Sequence, residues 1–184
     1  IATVTYAAGS SSGTYTFSAT YPGNAVYYNS SGTGTVTVDL RPTSIMADNR
    51  DILINDGFWA RATLLDSSLG TGVQGKTVSF VFRGSTQTTA TDSLGVATVL
   101  YSGLSSSGTY SYTASFVGDS TYSASGNSAS VNIAKRPTSL VPLDQVTNIG
   151  RTFISSATLK DYYTGANLAG KTVRFTFQGS TLAA

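Results

Sequence analysis

The charged chemistry of this 184-residue chain is nine carboxylates, all of them Asp, and eleven Lys or Arg. There is no His, no Cys and no Glu. Imidazole is the usual general base near neutral pH and the commonest zinc ligand, and thiolate is the soft ligand and reactive nucleophile. Ser–His–Asp and Cys–His centres are therefore out of reach, and so is a disulfide framework. Ser and Thr supply 55 residues, yet none stands in a nucleophile motif with a base. Only Ser–Lys or Asp–Asp arrangements are left formally open. The expectation is a chain that is no enzyme, with no cofactor and no metal.

Four groupings still deserve weighing. The stretch ADNRDILINDG carries Asp48, Asn49, Asp51, Asn55 and Asp56, oxygen ligands of the kind Ca²⁺ takes. In the internal repeat described below, Asp48, Asp51 and Asp56 are matched by Leu143, Val146 and Arg151, so a polar loop is the expectation rather than a shared ion. Asp66 and Lys76 recur as Asp161 and Lys171. An amide crosslink between such groups needs a buried acid beside them. Nothing in the sequence marks an Asp as buried, so a turn Asp and a strand-edge Lys are expected. Asn29-Ser30-Ser31 is an acceptor sequon, which makes Asn29 a candidate glycosylation site. Trp59, the single Trp, falls on the outward set of its segment and is matched by Ile154. Two large apolar side chains at one outward position are candidate interface residues, or are covered by loops of their own unit.

Charged residues make up 11% of the chain, against about 25% in ordinary soluble domains. The net charge of +2 is too small and scattered for a nucleic-acid footprint. No apolar run approaches the roughly 18 residues of a membrane span. Richness in Ser, Thr, Gly and Tyr leans toward an extracellular or cell-surface location.

What positions these residues is a repeat. Shifting the chain by 95 residues aligns it with itself without a gap, from Ile1 on Val96 to Thr89 on Ala184, and more than a third of the pairs are identical. The Arg-Pro-Thr-Ser of LRPTSI (Leu40–Ile45) returns in KRPTSL (Lys135–Leu140) and marks the seam. Residues 41–135 then form one complete unit. Residues 1–40 are the second half of such a unit, and residues 136–184 the first half of a further one.

Within the unit, apolar residues alternate with period two. Phe58, Ala60, Ala62 and Leu64 form one inward set, and Val78, Phe80 and Phe82 another, kept as Val173, Phe175 and Phe177. Strands are predicted near 43–48, 57–65, 76–83, 86–91, 95–101, 108–117 and 128–135. TDSLG (Thr91–Gly95) offers turn chemistry between two of them. Seven short alternating strands in 95 residues predict an all-β fold of tandem Ig-like β-sandwich repeats, held by apolar burial alone.

The motifs GKTVSFVFRGS, TDSLGVATVLY, GTYSYTASF and GDSTY resemble the bacterial immunoglobulin-like (Big) repeat domains, and in repeat phase the resemblance covers the whole chain. Asn24 departs from it where the complete unit has Asp119. Such domains occur in tandem in surface and secreted proteins of prokaryotes, as stalks, adhesin shafts or enzyme appendages, and rarely carry chemistry. The resemblance implies a structural segment. Its expected partners are neighbouring copies of the same repeat, in a continuous array or by self-association that completes the half-repeats. A surface glycan bound through loops or outward aromatics such as Trp59 is the alternative.

Overall fold

The computed structural model describes residues 1–9 and 11–184. It is all-β. The strands are β1 (Gly13–Tyr21), β2 (Ser30–Val38), β3 (Thr43–Ala47), β4 (Arg50–Leu53), β5 (Phe58–Asp66), β6 (Thr71–Gly72), β7 (Thr77–Phe82), β8 (Ser85–Ala90), β9 (Val96–Tyr101), β10 (Gly108–Phe116), β11 (Ser125–Ala134), β12 (Thr138–Pro142), β13 (Ala157–Asp161), β14 (Arg174–Phe177) and β15 (Ser180–Ala183).

Strands β3 to β11 build an Ig-like sandwich. One sheet runs β4-β11-β10-β7-β8. In the other, β3 lies along one edge of β5, while β9 and the short β6 share its opposite edge. The alternation read from the sequence becomes burial here. Phe58, Ala60, Ala62 and Leu64 face inward from β5, and Val78, Phe80 and Phe82 from β7, all of them buried. Every buried hydrophobic residue among those described lies between Ile45 and Ile133. Burial of each large apolar side chain stabilises by about 1.5–3 kcal/mol.

Two tyrosines cross between the sheets. Tyr112, fully buried on β10, aims its hydroxyl between the carbonyl oxygens of Asp48 (2.7 Å) and Arg61 (2.8 Å) in the facing sheet. Tyr101 on β9 reaches the other way and donates to the Phe80 carbonyl at 2.9 Å. Their rings close an aromatic cluster with Phe58 and Phe82. Burial raises the pKa of both hydroxyls, so they serve as donors rather than anions. These are the polar pins of a sandwich without a disulfide.

Two strands escape the sequence reading. β4 pairs in parallel with β11, from Val131↔Arg50 to Ala134↔Leu53, and its Asp- and Asn-rich setting carries no period-two signal. β6 is two residues long. The turn after β8 follows the sequence closely: Asp92 Oδ1 accepts from the N–H of Leu94 and Val96, and Gly95 has φ +77°.

On either side lie smaller pieces. β1 and β2 form a hairpin from Gly13↔Val38 to Tyr21↔Ser30, the register of β10 and β11 (Gly108↔Ile133 to Phe116↔Ser125) displaced by 95 residues. β12 pairs with β13, and β14 with β15.

Candidate functional site

The Arg-Pro-Thr-Ser segments are tied to both of their neighbours by backbone and side-chain bonds. The backbone of Arg41 is held by the 117–124 loop: its N–H donates to Thr121 O at 2.8 Å, and its carbonyl accepts from Ser123 N at 2.9 Å. Its guanidinium meets the Asp66 carboxylate at 2.5 Å, an ion pair without hydrogen-bond geometry at that oxygen. The other oxygen of Asp66 accepts from Ser68 N and Leu69 N. Arg41 also lies over the Tyr122 ring, 5.6 Å from its centroid, and Lys76 Nζ is 5.3 Å from the same ring. Lys76 Nζ in turn meets Asp119 Oδ2 at 2.6 Å.

At the second segment, Arg136 Nε donates to Asp161 Oδ2 at 2.6 Å, and its Nη1 donates to Asp56 Oδ1 at 2.9 Å. Asp161 Oδ1 accepts from the N–H of Tyr163 and Thr164. Tyr162 N donates to the Pro137 carbonyl, as Ser67 N does to that of Pro42. Asp56 closes the turn between β4 and β5, its N–H donating to Leu53 O. Arg136 thus ties that turn to the turn after β13.

Asp66 is 1% exposed and Asp161 6%, which corrects the expectation that no Asp is buried. A buried carboxylate persists where a cation and backbone donors satisfy it, and both have them. The hydrogen bond from Arg136, helped by the Thr164 N–H, holds Asp161 well below the ordinary carboxylate range. The Asp161 carboxylate in turn raises the pKa of Arg136. The hydrogen bond from Lys76, followed by the backbone N–H of Thr121 and Tyr122, lowers Asp119 to about 2.

The weighed groupings fall out as follows. Asp48 pairs with Arg61 (2.9 Å) and Arg50 (3.5 Å). Asn49 Oδ1 accepts from Ser130 N, Asp51 accepts from Asn132, and Asp56 is taken by Arg136. The oxygens of that cluster serve separate partners, and among the described residues no group of three acids fit for a metal occurs. Lys76 pairs with Asp119 rather than Asp66. Trp59 on β5 is 58% exposed and lies opposite Leu100 of β9. Ile154 is exposed in the irregular stretch before β13. Asn29 is exposed immediately before β2.

The segments flanking the sandwich present apolar faces. Ala2, Val4, Tyr6, Phe17, Ala19 and Val36 line a groove of about 610 Å³. Phe153, Phe175, Phe177 and Leu182 line one of about 420 Å³. The roles of Arg41, Arg136, Asp66 and Asp161 escaped the sequence reading, although all four keep the 95-residue spacing that was their signal.

Comparison with known proteins returns structural similarity only. A structure described as giving insight into host cell surface retention of a 1.5-MDa bacterial ice-binding adhesin is 12% identical, with a TM-score of 0.41 over 88% of this chain and 56% of that one. Domains 1–6 of surface layer protein SbsC are 13% identical, with a TM-score of 0.35 over 94% of this chain and 25% of that one. The CARDB domain of the PF1109 protein from Pyrococcus furiosus, solved in complex with di-metal ions, is 13% identical, with a TM-score of 0.27 over 50% of this chain and 92% of that one. The chain therefore spans just over half the length of the adhesin structure and a quarter of the SbsC one. No family model matches the chain, and no curated protein is a significant match.

Proposed function

We propose that this chain is a non-catalytic structural segment of an extracellular stalk, adhesin shaft or filament. In this reading it consists of tandem Ig-like units with a 95-residue period, and its flanking half-units are completed by neighbouring chain or by another subunit. The observation that carries the reading is Arg136, which holds Asp56 of one unit and Asp161 of the next. Such a joint has few unbonded residues and a Pro that fixes φ, so it transmits force and orientation rather than acting as a free linker. The two joints are also well separated. Arg41 is bonded beside the start of β11 and Ile54 N bonds Ala134 at its end, and ten strand residues span about 30 Å. Units joined this way extend along the strand direction.

The test is small-angle X-ray scattering on chains of two, three and four complete units joined through Lys135-Arg136-Pro137. The expected result is a maximum dimension that grows linearly, by about 35 Å per unit. Growth slower than linear, as in a collapsed or freely jointed chain, overturns it.

The exposed Trp59, with Leu100 opposite, favours a second reading, a glycan-binding module. Glycan-array binding abolished by Trp59→Ala decides for that reading, and no binding decides against it.

A further inference from the structure

The two sheets of the central sandwich end in four edges: β4 and β8 in one, β3 and the β6–β9 side in the other. Three of them are guarded against strand addition. On β3, the Ile45 carbonyl accepts from Asn127 Nδ2 at 3.1 Å, and Thr43 N donates to Ser123 Oγ at 3.3 Å. On β9, the Leu100 carbonyl accepts from Gln87 Nε2 at 2.9 Å. β4 is four residues long and is charged at Arg50 and Asp51. Side-chain cover, shortness and charge are the ordinary devices that keep an edge from pairing. β8 has none of them. Its STQTTA runs for six residues without charge, Pro or bulge.

The phase of β8 follows from its turn. Arg83 and Gly84 have φ +49° and +81°, the left-handed pair of a two-residue hairpin turn, which closes on a hydrogen-bonded pair, here Phe82↔Ser85. At the far end Thr91 N donates to Lys76 O at 2.9 Å, in the same phase. Alternation then turns the N–H and C=O of Ser85, Gln87 and Thr89 toward β7, and those of Thr86, Thr88 and Ala90 away from the sheet. These three residues are exposed, and among the described residues no loop or side chain takes up their outward groups.

We propose that β8 pairs antiparallel with β8 of a second copy, about a two-fold axis at Thr88, so that copies associate side by side. Two observations select a second copy. The first is register. With Thr88 opposite Thr88 of the second copy, Thr86 falls opposite its Ala90, and every outward N–H and C=O of both strands finds a partner at once. The Thr–Thr pair at the axis adds a favourable cross-strand contact. The second is charge. Arg83 and Asp92 flank β8 at opposite ends, and neither has an ion pair among the described residues. Antiparallel pairing sets Asp92 of each copy opposite Gly84 of the other, beside its Arg83. Parallel pairing in register would set Arg against Arg. The contact joins one surface to itself, so it closes as a pair. It uses only the complete unit, and the joints at the ends of β11 lie three strands away from β8 in its sheet. It therefore stands apart from the structural reading above: units joined end to end would gain a lateral contact at each β8.

The test uses the full chain, which has no Cys, so an introduced thiol is unique. Opposed Cα atoms of a hydrogen-bonded antiparallel pair lie about 5.5 Å apart, within disulfide reach. Under a mild oxidant, Thr88→Cys should crosslink to itself. Thr86→Cys alone and Ala90→Cys alone should not, because each is four residues, about 13 Å, from its own mate. Mixed, those two should crosslink to each other. Ser111→Cys, exposed on β10 away from the edge, is the control and should stay uncrosslinked. Light scattering coupled to size exclusion across a concentration series should show the wild type passing from monomer to larger mass. Thr88→Pro should weaken that association about 30-fold, since one N–H donor is lost on each copy while the bonds to β7 remain. Thr88→Lys, which opposes two like charges at the axis, should weaken it about tenfold at low salt. Near-ultraviolet dichroism reports that each variant is folded. A wild type monomeric throughout, variants at Thr88 that associate as the wild type does, Thr88→Cys crosslinking no better than Ser111→Cys, or Thr86→Cys crosslinking to itself each overturns the proposal. None of these outcomes alters the linear growth of covalently joined units, so failure here and failure of the structural reading are separable.

Discussion

Arg136 donates to Asp161 at 2.6 Å across a turn that sequence separation hides, and Arg41 makes the matching pair with Asp66. In each case the carboxylate is buried and also accepts from two backbone N–H groups of its own turn. The arginine therefore neutralises a charge that the turn has taken out of water, and it arrives from the segment that leads into the unit. That arrangement couples chain direction at the joint to the integrity of the turn. Arg136 reaches further than its partner needs, out to Asp56.

Arg136→Ala should loosen the joint without touching the central core. Scattering from joined units should show a shorter, broader distance distribution, while the melting temperature of the central sandwich stays unchanged. Arg136→Lys should rescue little, because an ammonium cannot present two nitrogens in the planar fork that serves Asp161 and Asp56 together. The folded pKa of Asp161 lies below its unfolded value, so its stabilisation is complete above about pH 4 and is lost as pH falls through the folded value. The joint should hold across mildly acidic solution and open only in strong acid.

Asp119 follows the same sign. Lys76 and two backbone donors bring it from an ordinary 3.8 to about 2. Its contribution is present above about pH 4 and disappears as pH falls through 2. Melting curves of the wild type and Asp119→Asn should differ by a constant small amount from pH 5 to 8 and converge near pH 2. A carboxylate kept ionised is a poor acyl donor and an ammonium paired with it is no nucleophile, so the intact mass should equal that of the sequence, with no water lost between Lys76 and Asp119.

Tyr112→Phe should lower stability by about 1 kcal/mol, read as a fall in the denaturant midpoint with the slope unchanged. The cost is held down because Arg61 O keeps a second donor, the N–H of Asp48. Tyr101→Phe should cost a similar amount, since the Phe80 carbonyl loses a buried partner. Phe17, which matches Tyr112 in the first segment, already lacks the hydroxyl.

Period two was legible because each strand has one dry and one wet face. Phe58 to Leu64 and Val78 to Phe82 could be assigned from spacing alone and are buried as expected. β4 was not legible, because Arg50–Leu53 owes its extended form to a parallel partner about 80 residues away and not to its own pattern. Asp66 and Asp161 read as ordinary turn acids, since an Asp that bonds its own turn looks the same in sequence whether or not an arginine later covers it. Trp59 was legible as outward-facing, but its partner Leu100 came only from the register of β5 and β9.

The same register makes Gly72 a sharp probe. Its lack of a side chain lets Leu94 and Gly95 lie against β6, and Gly95 itself needs φ +77° with its own Cβ direction blocked by the Leu64 carbonyl oxygen. Backbone cannot yield there as a flexible side chain would. Gly72→Asn, which copies the residue at 167, should destabilise the central sandwich by about 3 kcal/mol in chemical denaturation. Asn167→Gly should leave stability unchanged within about 0.5 kcal/mol, because Asn167 is exposed. A Gly72→Asn chain as stable as the wild type would show that the turn can move aside.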